Sequence, residues 1–257
     1  MDLDFNYFYT WAMRYLNLDL EAYKQKQLQR RIGTVMKSSG ASSLAEYARL
    51  IENDDVIRTA FLDYITINVT EFFRNKDIFK EFESVVTKQL SKEFGPLKIW
   101  SAACSVGAEP YSLAIILDKT NTRLKGKILA TDIDDGILAR AREAVYRDHE
   151  LKNISKADLK RYFTEEEKQY RLKDNIKNMV NFKKHDLILE KYERGFHAII
   201  CRNVVIYFKN ETKNSIYQKF SDALEPGGVL FTGATESIYK PESFGLRKLS
   251  TFIYEKI

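Results

Sequence analysis

The sequence predicts an α/β fold with a mostly parallel sheet, preceded by an all-helical domain. Short apolar segments that suit buried strands alternate with helical segments from Lys98 onward, a pattern typical of a parallel sheet covered by helices. The first seventy residues show helical apolar spacing and no strand pattern. After residue 146 the alternation is interrupted, which indicates a small antiparallel insertion. The expected domains are residues 1–70 and 71–257, with an inserted subdomain at 147–182.

Helices are expected throughout the first domain. One of them runs from about Leu20 to Lys37, and the serines and glycine at 38–40 end it. Ser43 and Glu46 form a capping box at the start of the next helix, in which each side chain accepts from the backbone N–H of the other residue.

The segment from residue 98 to 117 predicts a strand, a loop of small residues and a helix. The helix begins near Pro110, which is pre-organised for a first helical turn. The second strand ends at Asp132, 25 residues after Gly107. Folds of this kind bind ligands at the carboxyl ends of their strands, and an acidic residue at about this interval contacts a ribose.

The loop at 103–109 contains one glycine, Gly107, whereas a dinucleotide-binding loop needs three so that the backbone can approach a pyrophosphate. The carboxylate of Glu109 also suits a ligand with a cationic end better than a pyrophosphate. S-adenosylmethionine carries an ammonium and a sulfonium and no phosphate. A nicotinamide enzyme is therefore disfavoured. At this point the loop could still be an ordinary α/β loop that binds no ligand.

The composition fits one large domain and one small domain. Of the 257 residues, 44% are hydrophobic and 30% are charged, and no apolar run is long enough to span a membrane. The amino terminus lacks a signal-peptide pattern. Cys104 and Cys201 cannot form a multi-bridge framework, and no Cys/His cluster has metal spacing. We therefore expect a reduced cytoplasmic protein without structural metal, whose net charge of +5 permits an anionic partner but does not indicate nucleic acid.

Further strands are expected after the second one. They lie at about 180–187, 196–201, 229–231, 246–249 and 252–255, and the last two form a hairpin. The helix after Asn210 is expected to end at Pro-Gly-Gly, residues 226–228. In the insertion, residues 170–172 are expected to pair with the segment from Met179 onward around the turn-rich residues 173–175.

Four motifs carry a family resemblance. They are Asn-Val-Thr-Glu-Phe-Phe-Arg at 68–74, Trp-Ser-Ala-Ala-Cys-Ser-Val-Gly-Ala-Glu-Pro-Tyr-Ser at 100–112, Ala-Thr-Asp-Ile-Asp at 130–134, and Cys-Arg-Asn-Val-Val-Ile-Tyr-Phe at 201–208. In this order they resemble the CheR family of chemotaxis receptor methyltransferases, over nearly the whole chain. The resemblance implies a Rossmann-like S-adenosylmethionine-dependent methyltransferase sheet with an N-terminal all-helical domain and a small antiparallel β insertion.

The resemblance also implies an activity and a set of site residues. The implied reaction moves the methyl group of S-adenosylmethionine to glutamate side chains of chemoreceptor helices, giving methyl esters and S-adenosylhomocysteine. The residues implied to hold the cofactor are Asn68, Thr70, Arg74, Glu109, Asp132, Asp186, Leu187, Arg202 and Asn203. At Asp186 relatives often have asparagine, so this chain departs from the pattern there. Arg74 and Tyr207 are the implied catalytic residues.

The implied chemistry agrees with the residues present. A glutamate with a pKa of about 4.3 is ionised at neutral pH, so the nucleophile needs no general base. Tyr207 can orient the substrate carboxylate by a hydrogen bond, and Arg74 can offset its charge. The alternative for Tyr207 is an aromatic residue of the core. The alternative for Glu109 and Asp132 is that they are surface carboxylates at helix starts, stabilised by the helix dipole. The histidines are scattered and are expected to be structural or exposed: His149, His185 and His197.

A basic stripe on the second helix predicts the docking surface for the receptor. Lys26, Arg30, Gly33 and Lys37 share one helical face, and Arg31 flanks the apolar side, from which it is expected to reach the same partner. The methylated helices of a chemoreceptor bear glutamates, so the charges are complementary; a merely solvated face is the alternative. Residues 163–170 lack glycine and contain three consecutive glutamates, so no tethering by a C-terminal receptor peptide is expected. We expect neither binding to nucleic acid nor direct insertion into a membrane.

Two other classes of function remain as rivals. The first is a methyltransferase of the same fold that acts on RNA or a small molecule, although the Asn/Asp-Pro-Pro-Tyr turn of amine-directed enzymes is missing after the fourth strand. The second is a binding module without catalysis, which the presence of Arg74, Asp132 and Tyr207 disfavours.

Overall fold

The computed structural model describes residues 3–66 and 70–257. The described residues form two compact units, one of residues 3–66 with 207–214 and the other of residues 70–206 with 215–257. None of the helices in the described ranges is both long and apolar enough to cross a membrane. Asn68, which the resemblance assigns to the cofactor, lies outside the described residues.

The first unit is helical. Its helices are α1 (Phe5–Leu16), α2 (Gln25–Ser38), α3 (Leu44–Asn53) and α4 (Asp55–Thr66), with a short 3₁₀ turn at Leu20–Ala22. Phe8 packs against Tyr47 and Phe61 at ring-centroid distances of 6.1 and 5.8 Å, and all three side chains are fully buried. These aromatic contacts join α1, α3 and α4 into one core.

The second helix of this unit differs in detail from the expectation. Residues 20–22 form a separate turn, because Asp19 caps them through Glu21 N and Ala22 N. Ser43 caps α3 as expected, but the carboxylate of Glu46 accepts from the backbone N–H of Ser42 at 2.8 Å. The expected reciprocal capping box is therefore only half correct.

A later stretch of chain also belongs to the helical unit. The backbone N–H of Lys24 donates to Tyr207 O, and that of Lys209 donates to Ala22 O, both at 2.9 Å. The Phe208 ring packs edge-on against Tyr23 with centroids 4.9 Å apart. Residues 207–214 thus complete a unit that the first 66 residues begin.

The second unit contains the sheet. Its first helices are α5 (Lys76–Val85), a π-helical turn at Val86–Leu90, and α6 (Ser91–Phe94). Strands and helices then alternate as β1 (Ile99–Ala102), α7 (Ala108–Lys119), β2 (Ile128–Asp132), α8 (Asp135–Glu143), β3 (Val145–Tyr146), α9 (Asp148–Leu151), α10 (Lys156–Tyr162), β4 (Phe163–Glu166), β5 (Gln169–Leu172), α11 (Asp174–Lys177), β6 (Val180–Lys184), β7 (Phe196–Cys201), α12 (Asn210–Ala223), β8 (Leu224–Thr232), β9 (Leu246–Lys248) and β10 (Ile253–Lys256).

The main sheet has seven strands in the order β6-β2-β1-β7-β8-β10-β9. The first five of these strands are parallel, and β10 runs antiparallel to both β8 and β9. The expected mostly parallel sheet and the expected carboxyl-terminal hairpin are both confirmed. The order reverses beside β1, so the carboxyl ends of β1, β2 and β7 meet where such folds bind ligands.

Two local expectations are wrong. Helix α12 ends at Ala223, and the Pro-Gly-Gly sequence lies within β8: Leu224 pairs with Phe196 and Val229 with Ala198, so the extra residues form a bulge. In the insertion, β5 pairs with β4 and β3 instead of with the segment after Met179. The hairpin turn is at 167–168, where both residues adopt positive φ.

The loop after β1 is built around Gly107. This residue has a φ of +83°, and a Cβ placed on it would lie 3.0 Å from the Tyr111 ring, 3.1 Å from Phe182 and 3.2 Å from Ala141. A side chain would therefore meet both backbone strain and crowding. Gly107 is consequently required for α7 to start directly against the sheet.

We predict that Gly107→Ala destabilises the protein by about 2–4 kcal/mol, because overpacking of about 1–3 kcal/mol adds to a backbone cost of about 1 kcal/mol. Gly126→Ala is the matched control, since Gly126 has a φ of +87° and a Cβ placed on it would meet nothing within 4 Å. Urea unfolding measures both variants. If both variants lost the same free energy of unfolding, crowding at Gly107 would contribute nothing to stability.

Candidate functional site

Glu109 lies in the first turn of α7, close to the carboxyl end of β1. Its side chain is buried, with 8% of the residue exposed. Ser101 Oγ donates to Glu109 Oε1 at 2.8 Å, and Arg202 Nη1 lies 3.8 Å from Glu109 Oε2. Burial raises the pKa of this carboxyl to about 7, and Arg202 and Ser101 only partly oppose the rise. The site therefore holds a buried carboxylate that would gain from a further positive charge.

Arg202 follows β7 and connects three parts of the unit. Its Nη2 donates to Arg74 O at 2.9 Å and to Asn75 Oδ1 at 3.0 Å. Its guanidinium also lies over the rings of Phe79 and Phe231, at 5.6 and 4.8 Å from the centroids. Arg202 thus holds the segment at 71–75 beside Glu109. The charge of Arg74 acts on both Glu109 and Arg202.

Asp132 ends β2 and contacts the loop after β1. Its Oδ2 accepts from Ser105 N at 2.8 Å, and its Oδ1 accepts from Asp134 N at 3.3 Å. The residue is only 6% exposed, and burial raises its pKa to about 6 against these hydrogen bonds. Ser105 and Ala103 have positive φ, so the loop is folded to present its backbone to this carboxylate.

Asp186 and Leu187 follow β6 and are both buried. Asp186 Oδ1 accepts from the N–H groups of Ile188 and Leu189 at 2.6 and 3.1 Å. The turn is held from α12, because Lys219 Nζ donates to the Ile188 carbonyl at 2.6 Å. One oxygen of Asp186 is therefore occupied by the turn, and the other is available to a ligand.

Asn203 follows Arg202 in a left-handed conformation with a φ of 61°. Its N–H donates to Glu236 Oε2 at 2.6 Å. Glu236 is a buried carboxylate that sequence reasoning missed. It lies 33 positions away in the loop after β8, and a Thr-Glu pair in a loop carries no sequence signal of a contact with another loop.

The remaining site residues are placed as follows. Thr70 and Arg74 are half-buried in the segment before α5. Tyr207, the catalytic candidate, is half-buried and belongs to the helical unit, whereas the described candidates for the cofactor belong to the sheet unit. Lys26, Arg30 and Lys37 are exposed on α2, and Arg31 donates to Tyr64 O and lies 4.5 Å from the centroid of the Tyr64 ring. Arg31 therefore also links α2 to α4.

Two histidines and both cysteines of the sheet unit are buried. His185 Nδ1 lies 3.0 Å from Glu190 Oε2, and His197 Nδ1 accepts from Lys98 N at 3.1 Å; burial lowers the pKa of both imidazoles. Cys104 and Cys201 are fully buried, and burial raises the pKa of each thiol well above its ordinary value. In residues 3–66 and 70–257 no cluster of His, Cys, Asp and Glu could hold a metal ion.

The polar groups of the site fit S-adenosylmethionine. Three buried oxygens of the site have no hydrogen-bond partner among the described residues: Ser105 Oγ, Asp186 Oδ2 and Asn203 Oδ1. Unpaired buried acceptors are costly and require donors. The cofactor offers an ammonium, two ribose hydroxyls and an adenine amino group. The buried carboxylate of Glu109 complements its positive end, and that of Asp132 can accept from the ribose hydroxyls. The fold and this acceptor-rich site define an S-adenosylmethionine-dependent methyltransferase.

Comparison with family models identifies the family. Residues 68–253 match the CheR methyltransferase, SAM binding domain, and residues 3–66 match the CheR methyltransferase, all-alpha domain. The chain belongs to the CheR methyltransferase family.

Relatives match over nearly their full length. A "Chemotaxis protein methyltransferase" of Listeria innocua is 38% identical over 257 residues, covering 100% of this chain and 98% of the relative. Its namesake in Escherichia coli K12 is 33% identical and covers 92% of this chain and 85% of the relative. "Chemotaxis protein methyltransferase 1" of Pseudomonas aeruginosa is 34% identical, with 91% and 90% covered. The resemblance stated from the motifs is therefore confirmed.

We predict that Asp132→Ala weakens binding of S-adenosylhomocysteine about ten- to a hundredfold, the loss expected when charge-assisted hydrogen bonds of about 1.5–3 kcal/mol disappear. Isothermal calorimetry measures this affinity. The control is Asp135→Ala, which removes an exposed carboxylate that pairs with Lys184. Unchanged affinity in folded Asp132→Ala would exclude Asp132 from the cofactor site.

We also predict that the affinity for S-adenosylhomocysteine falls as the pH is lowered from about 8 to about 5.5. The carboxyl groups of Glu109 and Asp132, with pKa values raised to about 7 and about 6, become protonated in this window. Glu109 then loses its attraction for the ligand's ammonium, and Asp132 loses the charge that strengthens its hydrogen bonds from the ribose hydroxyls. Calorimetry at several pH values tests this. A constant affinity across the window would contradict the role of both carboxylates.

Proposed function

We propose that this protein transfers the methyl group of S-adenosylmethionine to glutamate side chains of chemoreceptors, giving glutamyl methyl esters and S-adenosylhomocysteine. The observation that carries the proposal is the match of both family models in order along the chain. The names of the full-length relatives support the same substrate class.

The charge of Arg74 supports a carboxylate substrate. Glu109 is already partnered by Arg202, while Arg74 adds a second positive charge close to both. We assign the substrate carboxylate to this second charge, and a side chain that is ionised at neutral pH needs no base. When bound, S-adenosylmethionine supplies an electrophilic methyl group on a sulfonium.

The protein's contribution is then alignment and charge. Glu109, Asp132, Asp186, Leu187, Arg202 and Asn203 hold the cofactor together with Asn68 and Thr70. Arg74 offsets the charge of the partly desolvated substrate carboxylate. The Tyr207 hydroxyl donates to one carboxylate oxygen and leaves the other free to attack, so the reaction gains mainly from orientation.

A direct experiment separates this function from its rivals. The protein is incubated with radiolabelled S-adenosylmethionine and chemoreceptor-bearing membranes, and the label is tested for release by mild base, as a methyl ester requires. Base-stable label, or label on RNA or small molecules, would favour another methyltransferase substrate. Cofactor binding without any transfer would favour a binding module.

We predict that Tyr207→Phe lowers the methylation rate at least about tenfold and leaves the affinity for S-adenosylhomocysteine nearly unchanged, because the lost hydroxyl is assigned to the substrate. Single-turnover methylation and calorimetry measure the two effects. Tyr239→Phe, at a tyrosine that is 82% exposed, is the matched control. A normal rate for Tyr207→Phe would make Tyr207 a packing residue.

Docking of the receptor is assigned to the basic stripe of α2, defined as Lys26, Arg30 and Lys37, with Arg31 at its edge. The opposite face of the helix is buried through Leu28, Ile32, Val35 and Met36. Nothing lies within 4 Å of a Cβ built on Gly33, which leaves room for a second helix to approach closely. A glutamate-bearing receptor helix complements this surface in charge and shape.

We predict that Lys26→Glu/Arg30→Glu raises the KM for receptor severalfold, spares cofactor affinity and flattens the salt dependence of methylation, since charge complementarity acts mainly on association. The matched control is Arg14→Glu/Arg49→Glu, which changes the net charge equally at exposed positions of α1 and α3. If both double variants behave alike at low and high salt, the stripe is only a solvated surface.

The β4–β5 hairpin supports docking without a C-terminal receptor tether. Strand β4 is the edge of the small sheet; Glu165 and Glu166 are exposed along it, and Glu167 is exposed in the turn that follows. A peptide added to this edge would meet these charges, which repel acidic peptides. We expect receptors with and without their C-terminal residues to be methylated at similar rates, and tight binding of the isolated terminal peptide would contradict this.

A further inference from the structure

Glu236 joins two loops at the carboxyl edge of the sheet. It lies in the loop after β8 and is only 3% exposed. Its Oε2 accepts from Asn203 N at 2.6 Å and from Gly233 N at 2.8 Å, and its Oε1 accepts from Val204 N at 2.8 Å. Three backbone donors from two loops therefore converge on one carboxylate.

Glu236 and Asn203 leave no room for a side chain at position 233. A Cβ on Gly233 would clash with Glu236 Oε2 and would lie 2.8 Å from Asn203 N, so the close approach requires a glycine at this position. The three N–H groups stabilise the buried negative charge, but burial outweighs them and raises the pKa of Glu236. Burying a carboxylate in this way costs free energy, and the backbone donors offset only part of that cost.

The contacts of Glu236 act on groups that are assigned to the cofactor. They hold Asn203 at its positive φ, and Asn203 Oδ1 is one of the buried acceptors without a partner in the described chain. The negative charge of Glu236 also raises the pKa of Glu109. Glu236 thus influences both the geometry and the protonation of the site.

We propose that Glu236 is a positioning residue of the cofactor site, which holds the 202–204 loop so that Asn203 Oδ1 and Glu109 meet the cationic amino-acid end of the methyl donor. Glu236 itself does not touch the ligand. The proposal rests on the assignment of Asn203 to the cofactor and not on the identity of the methylated protein, so ligand binding tests it without a receptor.

The experiment is calorimetry of S-adenosylhomocysteine with Glu236→Gln, Glu236→Asp and Asn203→Ala, with Glu242→Gln as the matched control. Glu242 is an exposed glutamate in the same connection between β8 and β9. Thermal unfolding establishes that each variant is folded at the assay temperature. In Glu236→Gln the amide nitrogen faces backbone N–H donors instead of accepting from them, so about a tenfold loss of affinity is expected.

The pH profile distinguishes positioning from a purely structural role. Glu109 is faced by Ser101 of β1, by Arg202 after β7, by Arg74 and by Glu236. Removing the charge of Glu236 lowers the pKa of Glu109, so the pH at which affinity falls should move lower in Glu236→Gln. Glu236→Asp keeps the charge, and it should lose affinity while keeping the wild-type pH midpoint.

Each outcome decides the proposal. Weaker binding by both Glu236 variants, with a shifted midpoint only in Glu236→Gln, supports it. Wild-type affinity in folded Glu236→Gln or Glu236→Asp overturns it, and so does an unaffected Asn203→Ala. Should Glu236→Gln not fold, Glu236→Asp alone decides by its affinity. Absence of receptor methylation by the wild type would instead count against the proposed function.

Discussion

The burial of the Arg202 guanidinium is the constraint on which the site depends. A group with five N–H donors and a permanent charge must find its partners inside the protein once it leaves water. Here the partners are a carboxylate from α7, a carbonyl and an amide oxygen from the segment before α5, and two aromatic rings. Removing one partner of such a buried pair typically costs about 3–5 kcal/mol. Arg202 therefore helps to fix the strand ends and the segment at 71–75 relative to each other.

The acidic side chains of the site are buried as well, and their hydrogen bonds stabilise their negative charges only in part. Glu109 and Asp132 have raised pKa values because desolvation exceeds the help from their hydrogen bonds. A cationic ligand removes that imbalance, so part of the binding free energy comes from relief of a cost already present in the folded protein. Selectivity for a ligand with a positive end and without phosphate follows from these carboxylates.

Sequence patterns predicted the parts that depend on local chemistry. The alternation of strands and helices, together with the rule on strand ends, indicated that Glu109 and Asp132 belong at one edge of the sheet, and the family resemblance implied Arg202. Two other features depend on tertiary contacts. Glu236 reaches Asn203 only because β8 lies beside β7, and Arg31 meets Tyr64 only because α2 packs on α4. The small hairpin was misassigned because Glu167 and Lys168 adopt positive φ without being glycine or asparagine.

The pairing of residues 22–24 with residues 207–209 has a consequence for synthesis of the chain. The helical unit is discontinuous in sequence, and its last part emerges from the ribosome only after most of the sheet unit has been made. At about 5–20 residues per second, the first 66 residues wait roughly 7–30 seconds for that part. During this interval the Tyr23 ring has no Phe208 to cover it. Completion of the amino-terminal unit is thus a late event of translation, and truncation before residue 214 leaves that unit unfinished.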